Sequence, residues 1–212
     1  MYTIGYIDDD NDLISDYIKR LKGRDIDLKV APTGTMAEIK QWIVNHNIEC
    51  MLIDYQLKAK YDFVGNTLFS YLYDGLPGLP CFILTSYTDN SVSENTVVSK
   101  CIIDRSILDK TGEEFEEFCD MLKQAAEVFK TSKSKYFEKY NALYQKHVDG
   151  TILPEEEEEL QAVFKILRAY GDVDDISSQF LTTKVDQALD AVLGNIPYGT
   201  YPDRHQPLEL KW

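Results

Sequence analysis

The sequence contains no long hydrophobic run, and nothing in it approaches the ~20 consecutive apolar residues of a membrane-spanning helix. Its first residues, MYTIGYIDDD, reach acid by position 8, where a signal peptide would still be apolar. A cytoplasmic protein with no membrane partner is the expectation. Basic charge is scarce as well: 22 Lys and Arg stand against 36 Asp and Glu, and the net charge of −14 is spread over both halves of the chain. Direct binding of nucleic acid is disfavoured, because phosphate backbones require a basic surface. The four cysteines, Cys50, Cys81, Cys101 and Cys119, have no metal-ligand spacing, and His46, His147 and His205 are scattered. No zinc site or Cys/His nucleophile pair is legible, and the cysteines read as small core residues. Neither GxxxxGK nor GxGxxG occurs, so the glycine-rich phosphate cradles are absent too.

What is present is a chain of 212 residues, 44% hydrophobic and 12% aromatic, enough for one core domain of ~150 residues with an appendage. Through the first 130 residues short apolar runs alternate with longer amphipathic ones, the pattern of βα units around a parallel sheet. Strands are predicted over 2–8, 26–31, 50–54, 80–85 and 101–108. Helices are marked by Leu13, Tyr17, Ile18 and Leu21, by Met36, Ile39, Trp42 and Ile43, and by Leu68, Phe69, Leu72 and Tyr73. A short fourth helix is predicted over 91–98. From Phe115 to His147 apolar residues recur at steps of three and four, a stripe that predicts one helix roughly 50 Å long. Its one polar interruption, KTSKSK over 130–135, suggests a boundary between a core domain, 1–130, and a helical extension, 131–212. Two further helices are predicted, around Leu160 to Leu167 and around Ile176 to Val192, before a tail from Asn195 that Pro197, Pro202 and Pro207 make irregular.

In a parallel βαβ sheet the ligand site lies outside the carboxyl ends of the strands. Asp8, Asp9 and Asp10 end the first strand, Asp54 ends the third and Thr85 ends the fourth. Crowded carboxylates repel one another unless a cation binds, and hard oxygen ligands suit Mg2+. A carboxylate beside that cation is a competent nucleophile toward phosphorus. Taken singly, each of these acids also reads as a turn former or a helix cap.

These residues resemble a response-regulator receiver domain over 1–130. The resemblance is carried by Asp8 and Asp9 in IGYIDDD, Asp54 in LIDYQL, Gly65, and Thr85 in ILTSY, with 45 residues from Asp9 to Asp54 and 31 from Asp54 to Thr85. It implies an α/β, flavodoxin-like, doubly wound five-stranded parallel sheet of order 2-1-3-4-5, followed here by a small all-α extension. It further implies that Asp8, Asp9, Asp54 and the backbone carbonyl of Gln56 hold Mg2+. Asp54 would then accept phosphate from a histidine kinase or phosphotransfer protein, and Thr85 and a lysine would bind the phosphoryl oxygens.

The sequence departs from the family at the fifth strand, CIIDRSILDKT. Lys110 lies 25 residues after Thr85 and Arg105 lies 20 after it; Lys110 is favoured because Ile107 and Leu108 lead into it as an apolar strand end. Three functions compete. The first is a phosphorylation switch acting on an unidentified protein target through the extension, or through a second copy of the chain. The second is a pseudo-receiver that binds partners without phosphate. The third, a phosphatase built on Asp8 and Asp10 with Thr85 or Ser86, leaves Asp54 without a role, so no dedicated enzyme activity is expected.

Overall fold

The computed structural model describes residues 1–10, 12, 14–86 and 99–173. Five strands, β1 (Tyr2–Ile7), β2 (Ile26–Val30), β3 (Cys50–Asp54), β4 (Cys81–Thr85) and β5 (Ile102–Asp104), form one parallel sheet of order β2-β1-β3-β4-β5. Each strand side faces a core, as the near-continuous apolar runs require. Ile4, Tyr6, Cys50, Leu52 and Leu84 face α1 (Ile14–Lys22) and the first half of α4 (Glu113–Val148). Ile7, Met51, Ile53 and Ile83 face α2 (Met36–Asn45) and α3 (Gly65–Gly75). This is the doubly wound flavodoxin-like arrangement, with helices on both faces. A Cβ at Gly5 would lie 2.2 Å from Met51 Sδ, so the close approach of β1 to β3 depends on that glycine.

The fifth strand is shorter than the sequence suggested. Ile83 pairs with Ile102 and Thr85 with Asp104, and the chain then leaves the sheet in a single 3-10 turn, Arg105–Leu108, capped by the Asp104 carboxylate on the Ser106 N–H at 2.8 Å. Ile107 and Leu108 therefore belong to a turn, and Leu108 is buried there. The expected helix over 91–98, the helix around Ile176 to Val192 and the tail lie outside the described residues.

The long amphipathic stripe forms one continuous helix. α4 has 36 residues, about 54 Å at ~1.5 Å per residue, and passes through KTSKSK without a break. Residue 130 thus falls inside α4. After the turn at Gly150, whose φ of 69° suits glycine, α5 (Pro154–Ala169) starts with proline at its first turn and runs back along α4 as an αα-hairpin. Tyr140 packs on Phe164, and Lys139 and Lys146 pair with Glu159 and Glu156. The run 155–159 is in this way partly a set of ion-pair partners and partly a solvated first turn.

The hairpin is not detached from the sheet domain. Tyr170 packs on Phe129 with the ring centroids 5.4 Å apart and tilted by 60°, donates its hydroxyl hydrogen bond to the Pro77 carbonyl at 2.8 Å, and joins the core on the α2–α3 side. Lys133, from the polar interruption, lies 5.0 Å from the Tyr170 ring and 3.1 Å from Asp172. Met1–Val173 clusters as one compact unit. Tyr170→Ala is therefore expected to cost about 3 kcal/mol, in the range of buried aromatic truncations, and to lower one shared transition seen by both helical and aromatic signals. A separate transition for the hairpin, with the sheet unaffected, would place the end of the core folding unit near residue 130.

Candidate functional site

The strand register brings the carboxyl ends level. Ile7 pairs with Ile53 and Asp54 with Leu84, so Asp8 lies beside Asp54, while Thr85 and Asp104 stand one step further along. Arg105 is the first residue past that step. Asp8 and Asp54 are each 3% exposed and Thr85 2%, which makes this end of the sheet a buried polar site. Oxygens of Asp8, Asp9 and Asp54 lie within 4.8 Å of one another. The other acids of IGYIDDD take different work. Asp10 is exposed and accepts the Asp12 N–H at 3.0 Å, so the pair that meets Asp54 is Asp8 with Asp9 and not Asp8 with Asp10.

Each carboxylate is held by its own neighbourhood. Asp54 Oδ2 accepts the Gln56 N–H at 2.8 Å, Asp8 Oδ1 accepts the Asp10 N–H at 2.8 Å, and Asp9 Oδ2 accepts the Ala59 N–H at 3.1 Å. Gln56 is accordingly beside Asp54. Tyr6, two residues before Asp8 and on the same side of β1, donates its hydroxyl to Asp8 Oδ2. Burial, and then the carboxylate that accepts its hydrogen bond, push the Tyr6 phenol well above its ordinary range. Gly65 lets α3 start against the Asp54 backbone: a Cβ there would lie 2.4 Å from the Asp54 carbonyl, and the Gly65 N–H donates to the Tyr55 carbonyl at 3.0 Å.

The cation at the site is Arg105. Its Nη1 donates to Asp54 Oδ1 at 2.9 Å and its Nη2 lies 2.7 Å from Asp8 Oδ2. Lys110, which the apolar Ile107 and Leu108 recommended, is not brought to the cluster; its ammonium pairs with Glu114 at 3.3 Å, one helical turn away. The short β5 is the reason, because the turn 105–108 carries the chain off before Lys110 is reached. Burial would lower the Arg105 pKa, but Tyr6, Asp8 and Asp54 together hold it above its usual value. Burial, and next the repulsion of Asp8, push the Asp54 carboxyl up to about 6, with Arg105 opposing the rise.

Beside Asp54 a cavity of about 50 Å³ is lined by Asp54, Tyr55, Gln56, Thr85, Ser86 and Arg105. A single water needs about 10–15 Å³, so a group of a few heavy atoms has room. Three carboxylates in a small polar space form a donor set suited to a hard dication. Sequence reasoning missed Tyr6, although its alternation with Asp8 was readable.

No family model matches the sequence, and no curated protein matches it. Among solved structures the chain is similar to the response regulator StyR, determined at low resolution, with 14% identity, 86% of this chain and 98% of that chain covered, and a TM-score of 0.41. The flavodoxin-like architecture stands on the strand order and register themselves.

Asp54 titrates higher in the fold than in the unfolded chain, so its ionisation weakens the metal-free protein as pH rises from about 4 through about 6. Asp54→Asn removes that charge and leaves Arg105 paired to Asp8. At pH 8 and without divalent metal the variant should be more stable by about 3 kcal/mol, each pKa unit corresponding to about 1.4 kcal/mol. The gain should shrink toward zero as pH falls to about 4. Denaturant melts across that range check the sign, and a gain independent of pH would mean the burial of this carboxylate is not the cause.

Proposed function

We propose that the chain is a receiver-like phosphorylation switch in which Asp54 is the phosphoacceptor. The observation that carries this reading is the buried Asp54 carboxylate at a strand end, beside the equally buried Asp8, the nearby Asp9, a hydroxyl-bearing strand end, a guanidinium and a cavity. Asp54 is ionised at neutral pH and can attack phosphorus. As its oxygen forms the new O–P bond, the P–N bond of a phosphohistidine donor breaks, and the imidazole nitrogen keeps the electron pair and takes a proton. Mg2+ held by Asp8, Asp9, Asp54 and the Gln56 carbonyl would offset charge on the transferring group. Thr85 and Arg105, both in the cavity wall, are suited to bind phosphoryl oxygens, Arg105 doing the work first assigned to Lys110.

The partners that follow are a cytoplasmic histidine kinase or phosphotransfer protein and a protein target read by the extension, 131–212. Support for that division of labour is the chain path, since the turn carrying Arg105 leads into α4, which continues into the hairpin.

One observation favours a second reading, a pseudo-receiver that works without phosphate: Arg105 already bridges Asp54 and Asp8 as a counter-ion inside the chain. Acetyl phosphate labelling and a beryllofluoride titration with millimolar Mg2+ separate the two. Wild type and Lys110→Ala are expected to label alike, and Asp54→Asn, which keeps shape and loses the nucleophile, to take no label while remaining folded. A wild-type protein that takes no phosphate and binds no beryllofluoride would leave the pseudo-receiver as the function.

A further inference from the structure

The chain carries a net charge of −14, yet one groove in it has charged walls of positive sign only. It lies between α2 and the last turns of α5, with Tyr71 of α3 at its side, and has a volume of about 540 Å³. Lys40 comes from α2, Lys165 and Arg168 come from α5, and no Asp or Glu is among the lining residues. Nearby acids are engaged elsewhere: Glu38 caps α2 through Thr35, and Asp172 pairs with Lys133 at 3.1 Å. The neighbouring groove between α2 and α4 is different, since there Glu49, Glu138 and Asp172 offset Lys130 and Lys133.

The fold assembles this groove from two parts of the chain. On α2, Ala37, Lys40, Gln41 and Val44 recur at the spacing of one helix face, while Ile39 and Ile43 on another face are buried in the core. Lys165 and Arg168, three residues apart, share a face of α5. Gly171, with a φ of 71°, ends the hairpin close against α2, where a Cβ would lie 3.6 Å from Val44 Cγ1. Lys40 is half-buried and lies over Gly75, at which a Cβ would come 3.1 Å from its Nζ. The macrodipole of α5 accounts for Arg168 in its last turn but not for Lys40 in the middle of α2. We propose that this groove binds a small organic molecule bearing two or more phosphoryl charges, held by Lys40 from the sheet domain and by Lys165 and Arg168 from the hairpin. Its volume falls in the ~300–1,000 Å³ range of small-molecule sites and suits a ligand of nucleotide size. Arg168 supplies a planar fork for phosphoryl oxygens and the lysines supply point charges. The half-buried Tyr71 offers a ring to the organic part. The groove shares no lining residue with the cavity beside Asp54, so its ligand is not the phosphoryl group carried there.

The test is calorimetric titration of ADP, pyrophosphate and adenosine into the full chain, free of divalent metal so that the acidic cluster takes no part. Wild type is compared with Lys40→Gln, Lys165→Gln and Arg168→Gln, and with Lys130→Gln as the control from the neighbouring groove. Wild type should bind one ADP, and pyrophosphate more weakly, because pyrophosphate leaves Tyr71 uncovered. Each of the three groove variants should bind ADP at least about tenfold more weakly, the loss expected for one charge-assisted hydrogen bond, while Lys130→Gln binds as wild type does. A ligand that ties α2 to α5 in the folded chain alone stabilises it, so ADP should raise the melting midpoint of wild type and of Lys130→Gln, and raise it less in the other three. Adenosine, which lacks phosphate, should do neither. No binding of ADP or pyrophosphate at millimolar concentration would overturn the proposal. Weakening by Lys130→Gln equal to that of the groove variants would overturn it as well, by reducing the effect to net charge. Weakening confined to the α5 variants would also overturn it, since α2 would then hold nothing. Pyrophosphate bound as tightly as ADP would overturn the organic part of the ligand. Phosphate labelling of Asp54 enters none of these outcomes, so failure here and failure of the switch are separately visible.

Discussion

A carboxylate taken out of water at the end of a β-strand must be met by a cation, by hydrogen-bond donors or by a proton, and here Asp8 and Asp54 are taken out together. Much of the surrounding structure answers that demand. The register of β1 on β3 sets the two side by side, and the register of β4 on β5 ends the last strand where Arg105 can span them. Gly65 lets α3 start close against the Asp54 backbone, and α1 secures the turn after β5 through Arg20 and Tyr17. An arginine in this role supplies one positive charge through two hydrogen bonds, which suits two separated oxygens better than an ammonium would.

The same turn joins the site to the rest of the molecule. From Arg105 the chain needs only a few residues to reach α4, and α4 carries without interruption from the sheet face into the hairpin with α5. Tyr170 then returns to the sheet domain, against Phe129 and the Pro77 carbonyl, so the hairpin is tied at both ends. Covalent continuity becomes coupling only where an element has two arrangements that both sites bias.

Three of the strand ends were legible because an apolar run stops at an acid or a threonine: Ile7 to Asp8, Ile53 to Asp54 and Leu84 to Thr85. The fifth was not, because apolar character reports burial and not conformation. Leu108 is as buried as a strand residue yet sits in a 3-10 turn, and only the pairing of Ile83 with Ile102 reveals that the strand ends at Asp104. That one ambiguity is why the apolar pattern favoured Lys110, whereas the fold sets Arg105 against the carboxylates. The polar KTSKSK segment is a related case, since a break in an apolar stripe suggests a boundary while α4 runs through it as one helix. In the fold Lys133 uses it to reach Tyr170 and Asp172, a tertiary contact that spacing along one helix does not encode.

The central claim is that Arg105 and the buried carboxylates form one electrostatic unit, and a double-mutant cycle tests it most directly. Stability would be measured by denaturant unfolding at neutral pH, without divalent metal, for wild type, Arg105→Gln, Asp54→Asn and the double variant. Residues in one buried ion-pair network couple by about 0.5–3 kcal/mol. The account predicts a coupling above about 1 kcal/mol, with Arg105→Gln costing far less stability once Asp54 is already neutral. Additive effects within about 0.3 kcal/mol would contradict it, because they would mean the guanidinium and the Asp54 carboxylate do not depend on each other.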